Sequence, residues 1–228
     1  MTNLLIVGSS RKSMDFSNIS YLLFDHDGVL VETEYWYFKA TQRGLAHLGI
    51  DLPLAGYRQH LVDGASNWEV ARQQGIAEKD ISAARANRDR YYQEYLVNED
   101  INIEGVEEVL TTLTRRFHMA IVTTSKRQDF ELIHASRNIV PHFDFVLCNG
   151  EYPRAKPAPD PYLTAIAQFG CDRSQALVIE DSERGLRSAV AADITCIAIH
   201  NDFTAHQDLS AAEQRLPNLR TLAELLAR

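Results

Sequence analysis

Short apolar runs that stop abruptly at polar residues punctuate the chain: Tyr21–Phe24, Met119–Val122, Phe143–Leu147, Ala176–Ile179 and Ile194–Ile199. Runs of this length without polar alternation predict strands covered on both faces, the signature of a parallel sheet. Between them the apolar period lengthens. Val106, Val109, Leu110 and Leu113 recur at helical spacing. Ser125-Lys-Arg-Gln128 fits a capping box at the start of a further helix. Asp160-Pro161 offers an N-cap followed by a proline at the first helical position. Ser182 can cap a helix in which Gly185 and Ala189 permit close packing. Strands alternating with helices predict an α/β fold, a parallel sheet with helices on both faces.

Residues 33–103 break this rhythm. They are rich in charge and in helix formers, contain no convincing buried strand, and predict helices over Tyr35–Leu48, Asn67–Gln74 and Asp80–Val97. The expected organisation is therefore an α/β core from residues 19–32 and 104–228, interrupted after its first strand by a helical insertion over 33–103. Such an insertion lies above the carboxyl ends of the strands, where open α/β sheets bind ligands. Residues 1–18 are expected to form an N-terminal extension, either a short extra strand or a loose segment, with Met14 as an alternative start.

Composition narrows the function. The 228 residues, 45% of them apolar, suffice for a sizeable core. A formal net charge of -8 offers nucleic acid or an anionic membrane no general attraction, so neither is expected as a partner. Leu4-Leu5-Ile6-Val7 lacks the preceding cations and the cleavage site of a secretory signal. No run approaches the length of a membrane helix. Cys148, Cys171 and Cys196 are scattered without metal-ligand spacing and read as reduced thiols of a cytoplasmic protein.

The chemistry gathers at strand ends. The first strand runs into Asp25-His26-Asp27-Gly28, the second into Thr123-Thr124-Ser125, and the fourth into Glu180-Asp181-Ser182; Lys156 follows the third. Each piece alone has a plain structural reading: Asp-Gly as a turn, Thr123 as a strand end, Lys156 as a solvated loop residue, Glu180-Asp181 as a helix cap. A parallel sheet brings all four ends to one edge. Carboxylates crowded there repel one another. A hard divalent cation with oxygen ligands relieves that repulsion, and Mg²⁺ suits a few carboxylates with water and phosphate. Lys156 and the helix starts near Ser125 and Ser182 favour an anion such as phosphate.

Taken in order, these motifs resemble those of the haloacid dehalogenase-like hydrolases, especially the branch containing phosphoglycolate phosphatase and β-phosphoglucomutase. Asp25-x-Asp27-Gly28-Val-Leu30 is similar to the first motif, Thr123 to the second, Lys156 to the third and Glu180-Asp181 to the fourth. The likeness covers residues 20 to 228. It implies a Rossmann-like core with a small α-helical cap, here the insertion. It further implies Asp25 as nucleophile forming an aspartyl-phosphate, and Asp27 as the acid/base. Asp25, the backbone carbonyl of Asp27 and Asp181 would hold Mg²⁺, with Glu180 a direct ligand or one shell out. Thr123, Thr124 and Lys156 would bind the phosphoryl group. Metal coordination would keep Asp25 charged, leaving Asp27 to hold a proton more easily. His26 replaces the apolar or aromatic residue usual between the two aspartates; a packing role and a role as base both remain open.

The cap is expected to choose the substrate. Tyr37, Asp63 and Asn67 stand where similar mutases carry a histidine, a lysine and an arginine. Without those cations a bisphosphate intermediate loses charge-assisted contacts, so hydrolysis is expected over mutase action. The expectation is a Mg²⁺-dependent phosphatase of a small phosphorylated metabolite, of sugar phosphate or phosphoglycolate type, acting as monomer or homodimer. The alternatives are a β-phosphoglucomutase-like mutase and a non-catalytic phosphometabolite-binding protein. Asp27 disfavours dehalogenation at carbon, because the dehalogenases lack an aspartate at that position.

Overall fold

The computed structural model describes residues 16–227. Its six strands are β1 (Tyr21–Phe24), β2 (His118–Val122), β3 (Phe145–Leu147), β4 (Ala176–Glu180), β5 (Thr195–Ile199) and β6 (Gln214–Leu216). All pairings are parallel, in the order β3-β2-β1-β4-β5-β6. β1 is therefore central, and the chain turns from one side of the sheet to the other between β1 and β4. That switch point is where the carboxyl ends of neighbouring strands leave a crevice.

Side-chain alternation divides the core in two. Leu22 and Phe24 of β1 pack with Met119, Ile121, Leu177, Ile179, Ile197 and Ile199 on one face. Three helices cover that face: α5 (Val106–Leu113), α6 (Arg127–His134) and α9 (Leu219–Leu226). Leu23 faces the other way, among the smaller Ala120, Val122, Ala176, Val178, Cys196 and Ala198, under α7 (Asp160–Phe169) and α8 (Glu183–Ala191). Small residues there let these helices approach closely.

The stretch between β1 and α5 is helical: α1 (Glu34–Ala46), α2 (Leu54–Asp63), α3 (Glu69–Gln73) and α4 (Glu78–Asn98). It buries its own cluster, including Phe38, Leu45, Tyr57, Trp68 and Ile81, and Phe203 of the α/β core joins it. The two chain crossings run side by side, with a Glu32 N–H to Ile101 carbonyl bond of 2.9 Å and an antiparallel bridge between Val31 and Asn102. Lys126 pairs with Asp89 of α4 at 2.7 Å, and Gln93 donates to Asp129 at 2.8 Å, tying insertion to core.

Several local expectations shift. The Ser125–Gln128 capping box does not form: α6 starts at Arg127, Lys126 precedes it without a side-chain cap, and the Ser125 hydroxyl goes to Asp27 instead. Asp160 is the first residue of α7 rather than its cap, and its carboxylate takes Arg154. Ser182 does cap α8, accepting from the Gly185 N–H at 3.1 Å. The third strand is shorter than expected, beginning at Phe145. β6 was not foreseen, because Gln-Arg-Leu is too polar and short to signal an edge strand. Residues 1–15 of the expected extension lie outside the described residues; Phe16 packs on the core and Asn18 donates to the Ser174 carbonyl. Cys148, Cys171 and Cys196 are unpaired. No helix among the described residues is long and apolar enough to cross a membrane.

Candidate active site

Asp25 directly follows β1, and its carboxylate is nearly buried. Lys156 reaches it from the loop after β3 with an Nζ–Oδ1 distance of 2.8 Å. The same Nζ lies 2.7 Å from Glu180 Oε1 at the end of β4. Burial, and then the Glu180 charge, push the Asp25 carboxyl up to about 6. Burial works against the charge on Lys156, but Asp25 and Glu180 overcome it and hold the ammonium above its ordinary value.

Glu180 is a fully engaged carboxylate. One oxygen accepts from Lys156 and from the Tyr162 hydroxyl at 2.8 Å; the other accepts from the Asp181 and Ser182 N–H groups and the Ser182 hydroxyl. Gly185 makes this possible: a Cβ there would overlap the Glu180 carboxylate. Glu180 thus fixes Lys156 and the start of α8. Asp181 differs. Oδ2 accepts from Thr204 at 3.0 Å, while the buried Oδ1 has no partner. Burial, Glu180 and Asp25 raise the Asp181 carboxyl well above its ordinary value.

Asp25, Glu180 and Asp181 can bring one oxygen each within 4.8 Å of one another. Among the described residues, Lys156 brings its ammonium to two of them, Asp25 and Glu180, and not to Asp181. The surplus negative charge and the orphaned Asp181 oxygen fit a hard cation with oxygen ligands. Gly28 keeps that space open: its φ is +80°, and a Cβ would overlap the Asp181 carboxylate.

Asp27 sits in a nest of donors. Thr33 donates to Oδ1; Ser125 at 2.7 Å and Thr123 at 3.2 Å donate to Oδ2. Burial favours its neutral form, yet the adjacent His26 ring and the hydrogen bonds from Thr33 and Ser125 hold the carboxyl well below the usual range. With the protein's own groups alone, without the metal on which the expected asymmetry rests, Asp27 is the more readily ionised aspartate and Asp25 the reluctant one. The physical reason is the uneven supply of donors. Asp25 shares one ammonium with Glu180, whereas Asp27 collects three hydroxyls.

These groups open onto a cavity of about 310 Å³. Asp25, Asp27, Lys156 and Asp181 line it, as does Thr124, whose hydroxyl accepts from Arg184 at 3.2 Å. Thr123 is fully buried beside it and also accepts from the Ser125 N–H. The insertion contributes Glu34, His60 and Asp63. Among the three cap positions singled out in the sequence, only Asp63 lines the cavity. Asn67 holds His60, accepting from Nδ1 at 2.8 Å. Tyr37 stacks edge-on against Tyr92, and Arg88 donates to its hydroxyl, away from the cavity wall.

Sequence reasoning passed over three contributors, and Ser125, which it places at the second strand end, serves Asp27 rather than a helix cap. Glu34 reads as an ordinary acid in a first helical turn, but burial and then Asp27 push it up to about 7 beside the reaction centre. Arg184 and Arg187 follow the fourth motif, and both line the cavity. Their spacing on one face of α8 was the available signal.

Residues 22–199 match the family model described as haloacid dehalogenase-like hydrolase. Protein CbbY of Rhodobacter capsulatus is 28% identical over 225 residues, covering 89% of this chain and 94% of that one. Fructose-1-phosphate phosphatase YqaB of Escherichia coli is 26% identical, covering 78% and 95%. The crystal structure of a CbbY mutant from Rhodobacter sphaeroides, in complex with xylulose-(1,5)bisphosphate, superposes with a TM-score of 0.75 at 24% identity, covering 88% and 95%. The chain belongs to the haloacid dehalogenase-like hydrolases.

Proposed function

We propose that this protein is a phosphatase that hydrolyses a small phosphorylated metabolite of sugar phosphate type, with Mg²⁺, through an aspartyl-phosphate on Asp25. The observation that carries the reading is the position of the Asp25 carboxylate at the cavity wall, against Lys156 and beside Asp27. A cavity of about 310 Å³ suits a small ester. CbbY and fructose-1-phosphate phosphatase, by name and bound ligand, both deal with phosphorylated sugars, which supports the same class here.

Asp25 and Asp181, with the backbone carbonyl of Asp27, would hold Mg²⁺, and Glu180 orients Lys156. The ion supplies positive charge that keeps the Asp25 carboxylate ionised and offsets the phosphate charge. The chain's own residues do the rest. An Asp25 oxygen forms a bond to phosphorus as the ester P–O bond breaks. Asp27 gives a proton to the departing oxygen. It then takes one from the water that attacks phosphorus, freeing phosphate and restoring the Asp25 carboxylate. Lys156 and Thr124 steady the phosphoryl oxygens, while Thr123 commits its hydroxyl proton to Asp27. Before the first transfer Asp27 must acquire a proton against its donor nest, and the same nest makes it a weak base in the second.

Hydrolysis is favoured over mutase action because the insertion presents Asp63, an acid, at the cavity, and turns Asn67 toward His60. A non-catalytic role is disfavoured because the residues of all four motifs meet at one site. The test is phosphate release from a panel of sugar, polyol, nucleotide and short-acid monophosphates, with Mg²⁺ and with EDTA. Metal-dependent hydrolysis of one sugar phosphate well above the rest is the expected result. Release unchanged by EDTA overturns the metal reading. Conversion of β-glucose 1-phosphate to glucose 6-phosphate, with a trace of bisphosphate, overturns hydrolysis.

A further inference from the structure

His26 stands between the two motif aspartates, yet its ring does not line the cavity. It is 0% exposed and packs against Phe130 with ring centroids 5.0 Å apart. Its Nε2 lies 2.8 Å from Nε2 of His134, the last residue of α6. Its Nδ1 lies 3.3 Å from Asp27 Oδ2, a contact not aligned well enough to count as a hydrogen bond, and it has no other partner. Phe130 also packs on His134, with centroids 4.5 Å apart, so one aromatic side chain clamps both imidazoles.

Two ring nitrogens at this distance share one proton: one must donate and the other accept. If His26 donated from Nε2 as a neutral ring, its Nδ1 lone pair would face the Asp27 carboxylate, lone pair against anion. If His134 donates, His26 accepts at Nε2 and carries its own proton on Nδ1, which then faces Oδ2. A doubly protonated His26 would strand the His134 Nδ1 proton without an acceptor; of the two neutral arrangements, only the second gives these close contacts the right sign. It leaves a single lone pair, His134 Nδ1, without a donor. An unpaired acceptor is the smaller defect compared with an orphaned N–H.

We propose that His134 and His26 are positioning residues for Asp27. His134 donates its Nε2 proton to His26, fixing the Nδ1–H tautomer and aiming that N–H at the Asp27 carboxylate. The hydroxyls of Thr33, Thr123 and Ser125 reach Asp27 from other directions. His26 adds a donor from beneath, through a ring that the core and α6 prevent from turning. The 3.3 Å separation is long for a hydrogen bond, as is common for catalytic groups before substrate is bound. His26 is thereby assigned neither to simple packing nor to proton abstraction from substrate. The inference rests on the reading of Asp27 as the proton-handling group, and its first test does not require turnover.

Side-chain nitrogen NMR of ¹⁵N-histidine-labelled protein at neutral pH, assigned with His134→Leu, distinguishes the tautomers. The expected spectrum shows His26 protonated at Nδ1 only and His134 at Nε2 only. His26 protonated at Nε2 only, or at both nitrogens, overturns the proposal. Steady-state kinetics form the second arm. His134→Leu should lower kcat roughly 10- to 100-fold, the usual cost of losing an outer partner that orients a functional group, with KM little changed. His134→Gln, which can still donate to His26, should restore most of the kcat. Equal losses in both variants, or kcat unchanged in His134→Leu at an unaltered unfolding temperature, overturn the positioning role. Wild-type protein that released no phosphate would instead defeat the functional reading, while the tautomers still report on the pair.

Discussion

Replacing the nucleophile should cost activity and return stability. Asp25→Asn removes the oxygen that attacks phosphorus, so phosphate release should fall to background. The same change removes a buried charge that the fold tolerates poorly. A carboxyl held at about 6 instead of 3.8 pays up to about 3 kcal/mol to be ionised at neutral pH, at about 1.4 kcal/mol per factor of ten. That figure already includes the attraction of Lys156, which keeps its contact with Glu180 in the variant. In a chain of this size it corresponds to a melting temperature higher by roughly 6–12 °C. The sign follows from linkage. The folded state holds the Asp25 proton more tightly than the unfolded state, so the penalty is absent below pH 3.8. It grows as pH rises through about 6 and is complete above that. Thermal unfolding in EDTA across this range should show variant and wild type converging in acid and separating toward neutrality. Added Mg²⁺ should narrow the gap, because it stabilises the wild type by binding. An Asp25→Asn protein that melts below the wild type in EDTA at pH 7 would refute the electrostatic account. Substantial turnover by the variant would refute the covalent assignment.

Other perturbations follow from the same geometry. Lys156→Met leaves Asp25 and Glu180 buried without their shared cation and should destabilise by about 3–5 kcal/mol; a urea midpoint equal to wild type would show that the pairing contributes little. Gly28→Ala forces a side chain onto a φ of +80° and against Asp181, at a cost of about 1–3 kcal/mol. It should also weaken the Mg²⁺-dependent rise in melting temperature, and a variant with wild-type melting and Mg²⁺ response would contradict this. Asn67→Ala frees His60 at the cavity wall and should raise KM with kcat held; an equal fall in kcat and kcat/KM would instead place the contact in the transition state.

How much of this was legible beforehand depends on the range of the interaction concerned. The sheet and its four chemistry-bearing strand ends could be read from short apolar runs and the residues that stop them, because burial on both faces leaves no room for polar alternation. Gly185 could be anticipated as a close-packing position, though not that Glu180 is what packs there. Ser125 shows the limit in the opposite direction. As local sequence it is a helix cap; in the fold Asp27, in the loop after β1, competes for the hydroxyl and takes it. Tyr37 and Asn67 were sound candidates by position, but their neighbours Arg88 and His60 decide where their polar atoms go.

The sequence by itself determined the fold class, the helical insertion and the carboxylates, lysine and hydroxyls that stand at the strand ends, since each follows from periodicity and residue chemistry within a few positions of the chain. Only the tertiary structure decided how hydrogen-bond donors are divided between Asp25 and Asp27, that Glu180 is saturated while Asp181 keeps a free oxygen, and that His26 meets His134. Those outcomes depend on burial and on donors contributed from distant segments, and the energy of a charge or a proton depends on every group packed around it.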